Sequence, residues 1–316
     1  MLRRVSDFES IGCHVVDFST RKADTLSYFI ELVKFIKRNK IQVVHAHGNS
    51  ATLVIEMVAA WLGGCPKRLA HSHNTTCKQV KVDKLLRPIF NLFYTQAIAC
   101  GVEAGKWLFS SKQFTVIKNG REVVKYAFNK EKRNFIRSIL QIENKIVIGH
   151  VGNFLEQKNH IFLVEIYHEI VKREPNCVLF MMGDGPLKHE IEERCIDISD
   201  HIVFTGKTDK VAELLNAMDG MLLPSLFEGF PLVVVEWQIS GLPCLLADTI
   251  TKESMLSRLV LFESLQNSAS VWAEKILDEV KRNNRSISSD IGQAAVRAAG
   301  FDSKESASLL RRIYID

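Results

Sequence analysis

Short β-branched, apolar segments alternate with amphipathic segments along most of the chain. The apolar segments predict strands at residues 14–17, 42–45, 68–71, 97–100, 114–117, 146–149, 178–181, 202–204, 220–223, 244–247 and 259–262. The amphipathic segments between and after them predict helices, among them residues 25–39, 83–95, 160–173, 209–217 and 302–314. Near-continuous apolar strands that alternate with helices are typical of parallel sheets covered by helices on both faces. The pattern therefore predicts an α/β fold.

The pattern weakens once, between Asn119 and Lys145, where charged residues are frequent and no strong strand appears. We place a domain boundary there, which predicts two Rossmann-like domains over residues 1–125 and 126–316. In such sheets ligands bind beyond the carboxyl ends of the strands. Two such domains that face each other would form a cleft, and the residues directly after each strand are the candidates for chemistry.

Composition agrees with two domains and adds a charge asymmetry. The chain has 316 residues, of which 47% are hydrophobic, and no apolar run approaches the roughly 18 residues of a membrane-spanning helix. Residues 1–125 hold 19 Lys and Arg against 9 Asp and Glu, whereas the remainder holds 22 against 27. The basic first half therefore indicates an anionic partner surface. The seven cysteines are dispersed without a CxxC pair, which favours reduced thiols and a cytoplasmic protein.

The strongest chemical signal is the segment Pro224–Glu236, which follows a predicted strand. Pro231 suits the first turn of a helix, and Gly229 allows close approach of a ligand. The free N–H groups near residues 229–232 and the helix dipole then form an anion site. Glu228 and Glu236 lie on either side of it, which suits a ligand with hydroxyls on both sides of a phosphate, such as a nucleotide sugar. Either glutamate alone is better interpreted as a helix cap or a solvated residue; the combination favours the site.

This segment resembles the retaining glycosyltransferases of the EX7E type (glycosyltransferase family 4, or group 1), which have the GT-B fold. Further segments agree with that family: His45–Gly48, Ala70–Thr75, Val116–Gly120, Gly149–Phe154, Gln157–Asn159, Met182–Leu187 and Ala217–Asp219. The likeness is greatest to bacterial exopolysaccharide and capsule glycosyltransferases. It implies a retaining enzyme that moves a sugar from a nucleotide-diphosphate sugar, a UDP-sugar in particular, to a lipid-linked oligosaccharide.

The resemblance also implies roles for individual residues. Glu228 would hold hydroxyls of the donor sugar, and Glu236 would accept both ribose hydroxyls. His73 would lie near the donor sugar and phosphate, and His47 nearer the acceptor. Lys158 would bind the diphosphate, and Lys207 would lie near the base. The other expected donor-binding residues are Gly152, Asn153, Gly229, Phe230, Pro231 and Leu232. Asn153 stands where many members have an arginine, so one phosphate cation is expected to be missing.

The resemblance further implies a polyprenyl-linked acceptor, which would be reached at the inner face of the plasma membrane. Lys78, Lys81, Lys84 and Arg87 recur every three residues beside apolar side chains. Such a basic amphipathic stretch suits a peripheral contact with an anionic bilayer. A core helix with a solvated face is the alternative.

Other ligands fit the sequence less well. The pairs His45/His47 and His71/His73 could suggest zinc, but no third ligand with metal-site spacing is apparent. No Asp-x-Asp occurs, so no metal cofactor is expected. Lys188 stands where a dinucleotide fingerprint would need its third glycine after Gly183 and Gly185, which argues against NAD. No nucleic-acid-binding signature accompanies the basic half. A nucleotide-sugar epimerase of the same fold stays open as an alternative.

The start of the chain gives a last expectation. Family members open with a strand, a glycine-rich turn and a helix before anything that matches residue 10, whereas here no glycine precedes Gly12. We therefore expect an incomplete N-terminal domain, short by about two strand–helix units. A chain of this kind would bind donor and transfer sugar poorly, and a non-catalytic nucleotide-sugar-binding remnant is the alternative function.

Overall fold

The computed structural model describes residues 8–18 and 21–316, which form two compact α/β units. Unit 1 comprises residues up to Lys118 together with Leu309–Asp316, and unit 2 comprises Asn119–Ser308. The sequence placed the boundary at residue 125 and assigned the C-terminal helix to the second domain. The division differs because Leu309, Leu310 and Ile313 pack against Leu69, Ile98 and Ile117 in the core of unit 1.

Unit 1 contains a parallel sheet in which neighbouring strands follow one another along the chain. Its strands in the described residues are β1 (Val43–Gly48), β2 (Lys67–Ser72), β3 (Gln96–Ala99) and β4 (Thr115–Val116). Its helices are α1 (Thr25–Arg38), α2 (Val54–Leu62), α3 (Val80–Phe93) and α4 (Val102–Phe109). Met57 on α2, Phe90 on α3 and Phe109 on α4 are fully buried and belong to one hydrophobic core cluster of this unit.

The strand predicted at residues 14–17 is wrong. Residues 13–18 have no regular structure and pair with no strand in the described part of the chain, and Val15 and Val16 are exposed. An apolar β-branched segment becomes a strand only where a neighbouring strand accepts its backbone hydrogen bonds. Among the described residues β1 pairs with β2 alone, so it lies at an edge of this sheet.

Unit 2 contains a larger parallel sheet with the order β10-β9-β8-β5-β6-β7 in the described chain. Its strands are β5 (Ile146–Val151), β6 (Cys177–Met182), β7 (Ile202–Gly206), β8 (Gly220–Leu223), β9 (Cys244–Ala247) and β10 (Val260–Glu263). Its helices are α5 (Val123–Tyr126), α6 (Lys130–Leu140), α7 (His160–Arg173), α8 (Lys188–Glu193), α9 (Val211–Ala217), α10 (Leu232–Ile239), α11 (Ala269–Arg282), α12 (Arg285–Ala298) and α13 (Ser303–Ile315), the last of which ends in unit 1. The central strands β6, β8 and β9 are buried along their whole length, as apolar strands between two helical layers must be.

Candidate functional site

The strand order of unit 2 creates a crevice at one point of the sheet. Strand β5 pairs with β6 on one side and with β8 on the other, so the connections after β5 and β8 leave toward opposite faces. A ligand site is expected at such a switch point. A cavity of about 790 Å³ lies there, within the range of small-ligand sites. Four of the predicted donor-binding residues line it: Gly152, Asn153, Lys158 and Lys207.

Glycines allow the loops after β5 and β6 to interlock at the cavity wall. A Cβ on Gly183, where φ is +155°, would lie 1.9 Å from the carbonyl oxygen of Gly152, and a Cβ on Gly185 would lie 2.6 Å from that of Phe154. The two loops are joined by backbone hydrogen bonds, including one of 3.0 Å from Phe154 N–H to the Asp184 carbonyl. Gly183 and Gly185 are therefore needed for packing rather than for a dinucleotide fingerprint.

Two of the predicted donor-binding side chains meet at the switch point. Lys158 Nζ lies 2.6 Å from Glu228 Oε1, and Gln157 donates a hydrogen bond of 3.2 Å to Glu228 Oε2. Gln157 also donates to the Phe227 carbonyl, which fixes the loop that carries Glu228. Lys158 comes from the connection after β5 and Glu228 from the connection after β8, so the fold joins residues 70 positions apart. Both side chains are largely buried, where an ion pair is screened little by solvent.

The segment between Glu228 and α10 presents backbone N–H groups. In the described structure, the N–H groups of Gly229, Phe230 and Leu232 have no hydrogen-bond acceptor, as is usual before and within a first helical turn. Pro231 precedes the helix in an extended conformation. The Phe230 ring stacks on Phe301 at 4.9 Å, so this residue contributes packing through its side chain and leaves its N–H free.

Glu236 lies on the first two turns of α10 and is almost fully buried. Arg121 Nε lies 2.6 Å from Glu236 Oε1 without the alignment of a hydrogen bond, so the contact is an ion pair. Burial raises the pKa of Glu236, and Arg121 and a hydrogen bond from Tyr126 oppose that change. Burial, with the charge of Glu236, raises the pKa of Tyr126 to about 12, so its hydroxyl stays protonated and donates.

Arg121, Tyr126 and Gln157 are not among the site residues predicted from the sequence. Arg121 directly follows the Asn119–Gly120 segment that carried the family resemblance, but more than a hundred residues separate it from Glu236. Its backbone is fixed by hydrogen bonds to Phe301 and from Ser303. No spacing rule connects such distant residues, so only the tertiary structure could show the contact.

Two histidines lie beneath the glycine-rich wall of the cavity. His150 on β5 and His160 at the start of α7 are buried with their ring centroids 4.7 Å apart, and His160 stacks on Phe154. Burial lowers the pKa of His160 to about 4, and the charge of Lys158 contributes. Neither ring nitrogen of His160 has a hydrogen-bond partner among the described residues. Burial also lowers the pKa of His150, so both rings are neutral at pH 7.

In unit 1 the two predicted histidines lie close together at the carboxyl ends of neighbouring strands. His47 Nδ1 is 2.7 Å from His73 Nε2. His45 and His71 lie beside them, with His45 Nε2 3.1 Å from His71 Nδ1. Burial lowers the pKa of His47, and it lowers the pKa of His45 to about 4 and that of His71 to about 3.

Comparison with known proteins identifies the family. A profile described as Glycosyl transferases group 1 matches residues 145–278, which include β5 to β10 and the candidate donor site of unit 2 except Arg121 and Tyr126. A Bacillus subtilis (strain 168) protein named as a glycosyltransferase, EpsF, is 31% identical, covering 94% of this chain and 80% of that protein. The Escherichia coli UDP-Gal:alpha-D-GlcNAc-diphosphoundecaprenol alpha-1,3-galactosyltransferase is 28% identical, covering 69% of this chain and 61% of that enzyme.

A solved structure supports the fold. The crystal structure of Anabaena Alr3699/HepE in complex with UDP superimposes with a TM-score of 0.77 at 17% identity, covering 98% of this chain and 88% of that chain. This protein has the two parallel sheets of that GT-B architecture. The chain belongs to the group 1 glycosyltransferases and is a glycosyltransferase of the GT-B fold.

Proposed function

We propose that the protein transfers a sugar, with retention of its anomeric configuration, from a UDP-sugar to a polyprenyl-linked saccharide in the synthesis of an exopolysaccharide or capsule. The observation that carries the donor assignment is the meeting of Lys158, Glu228 and the free N–H groups before α10 at the switch point. The E. coli relative is named for a UDP-sugar donor and a diphosphoundecaprenol acceptor, which supports both substrate classes here.

The donor site suggests a division of labour. Lys158 and the N–H groups of Gly229 and Phe230 provide positive charge and hydrogen bonds for a diphosphate. Negative charge develops on the diphosphate as its bond to the sugar breaks. These groups therefore stabilise the transition state more strongly than the bound donor. Glu228, held by Lys158 and Gln157, accepts hydrogen bonds from hydroxyls of the donor sugar. The acceptor hydroxyl then attacks the anomeric carbon on the face from which the diphosphate departs, and a phosphate oxygen of that diphosphate takes the hydroxyl proton. The bond between the anomeric carbon and the diphosphate breaks as the new glycosidic bond forms on the same face, so the configuration is retained.

Glu236 completes the site on the nucleoside side. Its carboxylate accepts hydrogen bonds from the ribose hydroxyls, while Arg121 and Tyr126 hold it in place. Lys207 follows β7 at the cavity wall, where it borders the base. In unit 1 we assign His73 to the donor sugar and phosphate and His47 to the acceptor. The chemistry needs no metal ion, because lysine and backbone N–H groups supply the positive charge.

Nucleotide binding by variants tests the donor assignment. Calorimetric titrations with UDP are performed in EDTA for the wild type, Glu228→Gln and Glu236→Gln, with exposed Glu274→Gln as a matched control. Glu228→Gln should bind UDP at least as tightly as the wild type, because it removes a negative charge beside Lys158, but should bind UDP-sugars more weakly. Glu236→Gln should weaken UDP binding about 10-fold, since hydrogen bonds to a charged group are worth about 1.5–3 kcal/mol each.

Deoxynucleotides sharpen the test of Glu236. The wild type should prefer UDP to 2′-deoxy-UDP, and Glu236→Gln should reduce that preference while Glu274→Gln keeps it. If EDTA abolishes UDP binding, or if Glu228→Gln and Glu236→Gln weaken it equally, the assignment is wrong. Transfer to a polyprenyl-linked acceptor, followed by analysis of the anomeric configuration of the product, tests the remainder of the proposal and separates it from epimerase activity.

The membrane contact is proposed from α3. Val82, Leu85, Ile89 and Leu92 form one stripe along this helix and are solvent-exposed, with Leu85 and Leu92 each 76% exposed. The exposed Lys78, Lys81 and Lys84 lie nearby, so the surface combines apolar and basic groups as an anionic bilayer requires. No helix in the described part of the chain has the length and apolarity to cross a membrane. From the exposed surface of α3 and the polyprenyl-linked acceptor proposed above, we propose a peripheral location at the inner face of the plasma membrane.

Vesicle flotation tests this contact. The variant Leu85→Ser/Leu92→Ser should bind anionic vesicles far more weakly, because each leucine that becomes buried in the bilayer contributes about 1.5–3 kcal/mol of binding free energy. Exposed Leu26 on α1 provides the matched control, Leu26→Ser. Changing Lys78, Lys81 and Lys84 to Gln should reduce binding to anionic vesicles by about 1 kcal/mol for each residue and leave binding to neutral vesicles unchanged. Flotation equal to wild type in the leucine variant would exclude α3 as the contact.

A further inference from the structure

The register of β1 and β2 brings the two His-x-His pairs of unit 1 side by side. His47 and His71 are paired across the strands, and alternate residues on a strand share one face. The four rings of His45, His47, His71 and His73 therefore lie together, with neighbouring ring centroids 4.1 to 5.1 Å apart. No third ligand with metal-site spacing is apparent along the sequence, but the strand register places a third histidine beside each pair.

Three of these imidazoles can converge on a single ion. The ligand nitrogens of His45, His47 and His71 lie within 4.8 Å of one another, and His45 Nε2 is 3.1 Å from His71 Nδ1. In a tetrahedral zinc site, bonds of about 2.0–2.1 Å place neighbouring ligand atoms about 3.3 Å apart. The His45–His71 pair already has that separation. His47 is exposed at the surface, so its side chain can move the remaining distance and an ion can enter.

The opposite nitrogens of two of these rings are already engaged, as in established metal sites. His45 Nδ1 lies 2.6 Å from the Tyr314 hydroxyl, and His47 Nδ1 lies 2.7 Å from His73 Nε2. Metal-ligating histidines generally use the second ring nitrogen for such a hydrogen bond, which fixes the tautomer and the ring orientation. Nε2 of His45 and of His47 are then the nitrogens available to the ion.

His71 is buried although only one of its two ring nitrogens has a hydrogen-bond partner in the described structure. The ring is only 4% exposed, and its Nε2 has no partner among the described residues. One proton lies between His71 Nδ1 and His45 Nε2, and when both nitrogens bind an ion the protons of the two neutral rings lie on His71 Nε2 and His45 Nδ1. A buried polar atom without a partner is uncommon and often marks a functional or ion-binding position.

We propose that His45, His47 and His71 bind one borderline divalent transition-metal ion, with Zn²⁺ as the reference case. An all-imidazole set selects such ions over Mg²⁺ and Ca²⁺, which prefer oxygen ligands. Three protein ligands leave the fourth position to water. The site lies entirely in unit 1 and shares His47 with the acceptor role proposed above. Its test measures metal binding alone, so its failure and the failure of the proposed function are distinguishable.

Metal titration of the tag-free 316-residue chain tests the site. Equilibrium dialysis should give one bound Zn²⁺ for each chain. Co²⁺ should give the visible absorption of a four-coordinate ion, and Zn²⁺ should abolish it. His47→Gln should weaken Zn²⁺ binding by more than the roughly 10–100-fold that loss of an outer hydrogen-bond partner costs, and Tyr314→Phe should fall within that range. His189→Gln, at an 86% exposed side chain, is the matched control and should bind as the wild type does.

Three results of these titrations decide whether the histidines bind the ion. His47 is exposed, so His47→Gln should fold normally, and a wild-type circular dichroism spectrum with weakened Zn²⁺ binding supports the site. Absence of stoichiometric Zn²⁺ in the wild type overturns the proposal. Equal affinity in His47→Gln and His189→Gln also overturns it, since any bound ion would then lie elsewhere.

Discussion

Acid should destabilise unit 2 through His160, and the size of the effect follows from its burial. The imidazole is 2% exposed, stacks on Phe154 and has no hydrogen-bond partner in the described structure. Burial lowers its pKa from 6.5 to about 4, and the nearby charge of Lys158 contributes. Because the pKa in the folded state lies below that in the unfolded state, the unfolded chain takes up the proton first as the pH falls.

This proton uptake lowers the free energy of unfolding in a defined pH window. The stabilising contribution is present above pH 6.5 and is lost as the pH falls toward 4. Between pH 7 and pH 5 the loss attributable to His160 is about 2 kcal/mol. The substitution His160→Phe keeps a flat ring against Phe154 and removes the titrating group. It should therefore make unfolding of unit 2 less dependent on pH by that amount.

Urea unfolding at pH 7 and at pH 5 measures the effect. The buried Trp237 and Trp272 report on unit 2 by fluorescence in a background in which Trp61 and Trp107 of unit 1 are changed to Phe, and circular dichroism follows the whole chain. The exposed His189→Asn should lose as much unfolding free energy as the wild type between the two pH values. The reasoning is refuted if the wild type and His160→Phe lose equal amounts, because His160 would then titrate alike in the folded and unfolded chains.

Two further substitutions probe the donor site. Gly183→Ala should cost about 1–3 kcal/mol of unfolding free energy and weaken UDP binding, because its Cβ would lie 1.9 Å from the Gly152 carbonyl oxygen. Gly101→Ala, which meets open space, is its control in thermal unfolding, and equal melting temperatures would contradict the packing argument. Arg121→Met should weaken UDP binding measured by calorimetry, because Glu236 loses the ion pair that orients it and favours its charged form. Unchanged affinity would show that this ion pair is structural only.

Local pattern alone determined most of the secondary structure and part of the site. Helix α7 begins and ends where its periodicity predicted, and β8 and β9 lie where apolar runs predicted them. The glutamate segment after β8 and the glycine segment after β5 were recognisable because helix starts and close backbone approaches restrict the residues that can occupy them. The family was predicted from the same residues and is confirmed.

Contacts between elements that are distant along the chain decided two features that the local pattern did not predict. Residues 14–17 have the composition of a strand but pair with no strand among the described residues. The C-terminal helix packs on the core of unit 1 although its sequence neighbours belong to unit 2. A strand needs a neighbour for its backbone hydrogen bonds, and an amphipathic helix packs on whichever apolar surface it meets. The local sequence therefore determines neither whether the strand forms nor where the helix packs.

The contacts that give the site its chemistry also came only from the tertiary structure. Sequence predicted Lys158, Glu228 and Glu236 as separate ligand-binding residues, whereas the fold joins the first two in one ion pair and gives the third Arg121 and Tyr126 as partners. The strand register likewise turned two histidine pairs into one cluster. Sequence determines which groups are available at the ends of strands. Sheet order and register determine which of them meet, because they set distances between residues that are remote along the chain.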